Sequence, residues 1–152
     1  MATFSNDIFG AWVLKCNPKK YDLAGFLDDG HTRISSWSVR DNERSRGMAE
    51  GEPIVLWVSG SSKRLPRGVW GIGKVTGPLL YSSPDEYWLD DYGPLFRVVE
   101  IDVRELLVGA DVVKVDPVLV KSELIAAPQM SNPALLSMTE WSALRRLLPR
   151  RN

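Results

Sequence analysis

The sequence is poor in the residues that build most protein chemistry. It holds one cysteine, Cys16, and one histidine, His31, among 152 residues. A lone cysteine excludes a disulfide within the chain and suits a reducing compartment. One Cys and one His are too few for a zinc site of nitrogen and sulfur ligands. A Ser-His-Asp or Cys-His site would have to use His31, and no motif sets Cys16 or a serine beside it. The acidic residues of segment 84–91 lack the spacing of a calcium loop. Gly68, Gly71 and Gly73 are not followed by the Gly-Lys-Ser/Thr and helix of a phosphate loop. No enzymatic activity, no metal and no cofactor is therefore expected.

Long apolar runs are also missing, so no membrane-spanning helix is expected. Residues 1–10 carry no basic n-region, so no export signal is read there and a cytoplasmic location is expected. Repeats and low-complexity tracts are absent, and the length suits one domain. Nineteen basic residues balance nineteen acidic ones, which argues against bulk binding of polyanions. The charge is uneven, however. Residues 33–67 hold seven basic and four acidic residues, whereas residues 84–116 hold three basic and nine acidic. A neutral chain patterned in this way can still turn a basic face to phosphate. Arg40, Arg44, Arg46, Lys63, Arg64 and Arg67 are the candidates; the alternative is that they are solvated loop residues.

Apolar patterning supplies the elements. Trp12–Cys16 reads as a buried strand ended by Asn17-Pro18. Asp22 is an N-cap for a helix with Leu23, Phe26 and Leu27 on one face and Gly30 as its stop. Ile34–Val39 is a short strand with polar alternation, and Ile54–Ser59 a strand of strong β-formers. Val69–Val75 is a strand whose Gly71 and Gly73 signal a bulge, a bend or close approach of another backbone. Leu79–Gly93 is expected as a long acidic, aromatic loop. Leu95–Val103 alternates as a half-buried strand, and Ser137 with Glu140 forms a capping box for a last helix carrying Trp141, Leu144 and Leu148 inward. About five short strands between Gly/Pro loops, with two or three helices, predict an α+β chain built on a small barrel.

Six tryptophans remain to be placed. Trp12, Trp57, Trp70 and Trp141 lie in strands or on an amphipathic helix and are expected in the core. Trp37, among Ser35, Ser36, Ser38 and Arg40, and Trp88, among Asp85, Glu86 and Asp90, have polar surroundings. Neither ring is expected to be wholly interior, and that of Trp37 is expected to face a cavity more than a core. Aromatic faces of this kind suit stacking on an unpaired base.

In order along the chain, Trp12-Val13-Leu14-Lys15-Cys16-Asn17-Pro18, Tyr21-Asp22-Leu23, Ser36-Trp37-Ser38-Val39-Arg40, Gly51-Glu52-Pro53-Ile54-Val55-Leu56-Trp57-Val58-Ser59-Gly60, Gly68-Val69-Trp70-Gly71-Ile72-Gly73-Lys74-Val75 and Met138-Thr139-Glu140-Trp141 resemble the EVE domain family. That family belongs to the PUA-like group that includes YTH readers. The resemblance spans about residues 11–148 and treats residues 1–152 as one domain. It implies a PUA-like β-barrel flanked by short helices, with an aromatic pocket for a flipped, modified base of DNA or RNA. It also implies pocket residues: Trp37 as one wall beside Ser36; Lys15, Cys16 and Asn17 at the floor; and Ser59 and Gly60 at the rim. Tyr81, Tyr87 or Trp88 supplies the second wall. Many family members carry serine where Cys16 stands and an acidic residue where Asn17 stands. An amide both donates and accepts, whereas a carboxylate only accepts. Two other readings stand beside this one: a barrel that takes a small ligand or a protein, and, less favoured, an enzyme acting on a base.

Overall fold

The structure is a computed structural model and describes residues 8–60, 62–81, 83–89, 95–127 and 132–149. Strand β1 (Phe9–Cys16) alternates between two apolar environments. Trp12, Leu14 and Cys16 enter one core, while Ala11 and Val13 enter another. Strand β3 (Pro53–Val58) does the same, with Ile54, Leu56 and Val58 on the first side and Val55 and Trp57 on the second. Both strands are apolar on both faces because both faces are covered, which is the condition for burying a parallel pair. They pair in parallel, with Lys15 opposite Trp57 and Cys16 opposite Val58.

The remaining strands extend this pair in both directions. Strand β2 (Arg33–Ser38) lies on β5 (Leu95–Gly109), β5 pairs with β4 (Gly68–Tyr81), and β6 (Ala134–Ser137) lies antiparallel on β1. The order is β2-β5-β4-β3-β1-β6. Gly73 takes part in the β4–β5 ladder, and a Cβ there would collide with the Glu100 carbonyl oxygen. The strand glycine marks close backbone approach, one of the meanings read from the sequence.

The sheet curls without closing. Residues of β2 (Ile34, Trp37) share the first core with residues of β1, near the opposite end of the sheet. Across the gap the Arg40 N–H donates to the Asn132 carbonyl at 3.0 Å. The second core lies on the outer face of β1, β3 and β4. It is covered by α3 (Ala110–Val113), a single 3-10 turn (Leu119–Lys121), α4 (Glu123–Ala126) and α5 (Met138–Leu147). Helix α1 (Leu23–Asp28) follows β1, and α2 (Glu43–Arg46) follows β2. No helix of the described residues is long and apolar enough to cross a membrane.

The α+β, barrel-like architecture is the expected one, and both read caps are present. Asp22 accepts from the Gly25 N–H, and Ser137 and Glu140 cap α5 reciprocally. Trp12, Trp57, Trp70 and Trp141 are all buried. The details differ in three places. A sixth strand, β6, is present. Strand β4 runs to Tyr81, so the loop expected from Leu79 begins later, and β5 continues to Gly109. Among the described residues five short α-helices replace the expected two or three, because one-turn helices carry too little periodicity to be read.

Candidate nucleic-acid interface

The carboxyl ends of the parallel pair β1–β3 gather the residues singled out in the sequence. Ser59 donates its N–H to the Cys16 carbonyl at 2.9 Å, with its hydroxyl 3.4 Å from the same oxygen. Gly60 has φ of +79°, a left-handed conformation that favours glycine, and a Cβ there would lie 3.2 Å from Asn17 Oδ1. Lys15, Cys16, Asn17, Ser59 and Gly60 therefore do come together.

Trp37 joins them from β2, but not as an open wall. Its ring is 1% exposed, so the expectation of a cavity-facing ring fails for this state. The reason lies in the strand. A register shift between Ile34 and Ser36 breaks the alternation, leaving Ile34 and Trp37 both inward and Ser35 outward. Polar neighbours describe the opposite face of a strand, not the position between them. The Trp37 indole N–H reaches the Lys15 carbonyl at 3.4 Å. Ser36 is half-buried beside it.

Three rings meet at this point. Tyr21 lies 4.8 Å from Trp37 and 4.8 Å from Trp88, edge to face in both pairs, and Trp37 lies 4.9 Å from Trp88. Of the two second-wall candidates whose side chains are described, Trp88 is the one whose ring meets Trp37. Tyr87 turns instead onto Phe26 of α1 at 5.4 Å. The Tyr81 side chain lies outside the described residues. A base sandwiched between two rings needs their planes about 7 Å apart, twice a contact distance of about 3.5 Å. The triangle is therefore closed.

Segment 83–89 holds it shut. Trp88 forms an isolated bridge to Tyr21, the Asp22 N–H donates to the Tyr87 carbonyl, and the Leu89 N–H donates to the Lys20 carbonyl. Two phenol–carboxylate bonds add to these: Tyr21 to Asp85 at 3.0 Å and Tyr87 to Asp29 at 2.6 Å. Burial, reinforced by Asp85, raises the pKa of Tyr21, and the bond to Asp29 raises that of Tyr87. Both phenols stay protonated donors. Tyr21 and Asp85 were missed as site residues. The only sequence signal was a polar-tipped aromatic just after the Asn17-Pro18 turn.

Cys16 faces the first core, and burial pushes its thiol up to about 12. It is held as a neutral thiol. Lys15 is half-buried, with its ammonium donating to the Ala127 carbonyl at 3.1 Å. Burial lowers its pKa, and Glu123 opposes the shift. His31 is exposed, with its ring 5.1 Å from that of Phe26.

Five of the six basic candidates separate into two sets. Arg44 binds Glu123 through two bonds of 2.6 and 2.7 Å, Arg46 binds Asp41 at 2.8 Å, and Arg64 binds Asp28 at 2.7 Å. These guanidiniums are already committed to carboxylates. Lys63 and Arg67 instead line an open groove of about 500 Å³ with Gly60 and Ser62. Arg67 is anchored there by a 2.6 Å bond from Nε to the Gly60 carbonyl. Arg40 is exposed at the end of β2.

No family model and no curated protein matches the chain by sequence. Solved structures do match by shape. Protein PSPTO5229 from Pseudomonas syringae is 19% identical with a TM-score of 0.60, over 91% of this chain and 99% of that one. Rpa0253 from Rhodopseudomonas palustris is 18% identical with a TM-score of 0.59, over 91% and 92%. Human THYN1, in complex with DNA containing 5-methylcytosine, is 13% identical with a TM-score of 0.50, over 90% and 96%. These likenesses show that the chain shares the fold of these proteins.

Proposed function

We propose that the chain is a nucleic-acid-binding module that holds one flipped, modified base against Trp37 and carries out no chemistry on it. The observation that carries this reading is the Tyr21–Trp37–Trp88 triangle, set at the same end of β1–β3 as the Lys63–Arg67 groove. Rings supply stacking worth roughly 1–3 kcal/mol per base. The groove supplies phosphate contacts that fix register without reading sequence. Asn17 is suited to the base edge. Its Oδ1 already accepts the Lys19 N–H at 3.0 Å, while its amide nitrogen has no partner among the described residues. It therefore offers a donor to a base acceptor. For the base to enter, Trp88 leaves Trp37 and the base takes its place in the stack. The human neighbour bound to 5-methylcytosine DNA supports DNA as the partner, with RNA as the second candidate. A reducing cytoplasm is the proposed compartment, on the strength of the lone buried thiol.

The engagement of Arg44, Arg46 and Arg64 in ion pairs favours the second reading, a barrel for a small ligand or a protein. One experiment separates the two. DNA and RNA oligonucleotides with and without base modifications are titrated at about 50 and about 200 mM salt. Salt-dependent binding with a preference for one modified base supports the reader. Absence of binding to every oligonucleotide at the lower salt sinks it.

A further inference from the structure

We infer that Asn132 is the positioning residue that fixes the Trp37 ring against the floor of the pocket, an inference that rests on the base-reading function above. The β1–β6 ladder ends with Val13 opposite Ala134. Carried two residues further, the same register brings Asn132 to Lys15. At Asn132 the main chain no longer faces β1, since its carbonyl accepts from Arg40 instead. The Asn132 side chain takes over: its Oδ1 accepts the Lys15 N–H at 2.7 Å, and its Nδ2 donates to the Lys15 carbonyl at 3.1 Å. A carboxamide thus stands in for the missing peptide group of a strand partner.

The main chain of Asn132 faces the other way. Its carbonyl accepts the Arg40 N–H at 3.0 Å, just beyond the end of β2. One residue therefore ties β1 to β2 across the gap in the curled sheet. The Lys15 carbonyl that it holds is also the acceptor for the Trp37 indole, at 3.4 Å. Asn132 orients that oxygen, and the oxygen orients the ring. No base contact is assigned to Asn132 itself. Its effect on binding runs through Trp37.

The test compares Asn132→Ala and Asn132→Asp with the unmodified chain. The aspartate keeps an acceptor for the Lys15 N–H, which supports folding, but loses the donor to the Lys15 carbonyl. Indole N–H resonances are recorded on ¹⁵N-labelled protein, with that of Trp37 identified by its loss in Trp37→Phe. In both variants the Trp37 resonance moves while those of Trp57 and Trp141 in the second core stay in place. Preference for the modified over the unmodified oligonucleotide falls about tenfold, as for one misplaced stacking partner. Salt-dependent binding to unmodified DNA is unchanged. A Trp37 resonance that stays in place with preference intact overturns the inference and leaves Asn132 a structural staple. An unmodified chain without base preference overturns the base-reading function instead, and the indole resonance still decides what Asn132 holds.

Discussion

The ring of Trp88 lies 4.9 Å from that of Trp37, centroid to centroid, with the planes inclined by 54°. The two residues are 51 positions apart in the chain, one on β2 and one in the segment that follows β4. Their contact fills the slot that the proposed base would use. A base therefore competes with a side chain, and binding free energy is the difference between two stacks rather than the full value of one. Affinity measured in solution is lowered by the fraction of molecules in which the slot is open. At about one open molecule in a hundred, the apparent dissociation constant is about a hundredfold weaker than the intrinsic one.

Replacing Trp88 tests both of its roles. Trp88 is only half-buried, so Trp88→Ala should lower the melting temperature less than truncation of a core tryptophan. If Trp88 stacks on the inserted base, affinity for the modified oligonucleotide falls about tenfold or more. A rise in affinity would show that Trp88 only blocks the slot and that the second wall lies elsewhere.

Trp37 is expected to answer to both folding and binding. Because the ring is buried among Tyr21, Trp88 and the first core, Trp37→Ala should cost roughly 3–5 kcal/mol of stability. Trp37→Phe keeps much of the packing and removes the indole donor. It should stay folded at room temperature and bind the modified oligonucleotide more weakly. Chemical denaturation alongside titration reads the two effects apart. Unchanged affinity in Trp37→Phe would place the base away from this ring.

The basic groove predicts a sequence-blind effect. Lys63→Ala with Arg67→Ala should weaken binding to every oligonucleotide alike. The slope of log affinity against log salt should fall by about two, close to one for each phosphate that the pair no longer neutralises. Arg64→Ala should do little, since Asp28 already holds that guanidinium. A changed base preference in the double variant would make the groove a reader.

Cys16 predicts a pH dependence. Its folded pKa is raised to about 12 from an ordinary value of 9.0. The unfolded chain therefore releases this proton first as pH rises. Stability carried by the neutral thiol is complete below about pH 9 and declines from there toward about pH 12. Denaturation midpoints should fall across that window, and by less in Cys16→Ala. An equal fall in both proteins would assign the alkaline loss to other groups such as Tyr21. Alkylation of the native thiol at neutral pH should be slow.

Local chemistry was legible in the sequence. The Asp22 cap and the Ser137–Glu140 box rest on residues three apart, and the apolar runs of β1 and β3 need no distant partner to be read. Contacts between distant segments were not. Trp37 is buried because the β2–β5 register shifts between Ile34 and Ser36, and nothing between Ser35 and Ser38 reports that. Strand β6 is four residues of ALLS, a composition equally at home in a helix. Asn132 and Lys15 meet across 117 positions, and Tyr21 gains its place only when segment 83–89 lies over it.

The position of β1 sets an order of events during synthesis. The N-terminal strand lies between β3 and β6, so one of its edges stays bare until residues 134–137 have been made. The outer face of β1 and β3 likewise waits for Trp141, Ala143 and Leu144 of α5. A nascent chain halted near residue 127 carries β1 to β5 with an unpaired apolar strand edge and a second core that still lacks α5. Such a species invites pairing with other chains. Contacts this far apart in sequence make the final step slow relative to helix formation. Residues 132–147 thus pair the free edge of β1, complete the cover of the second core and bring Asn132 to Lys15.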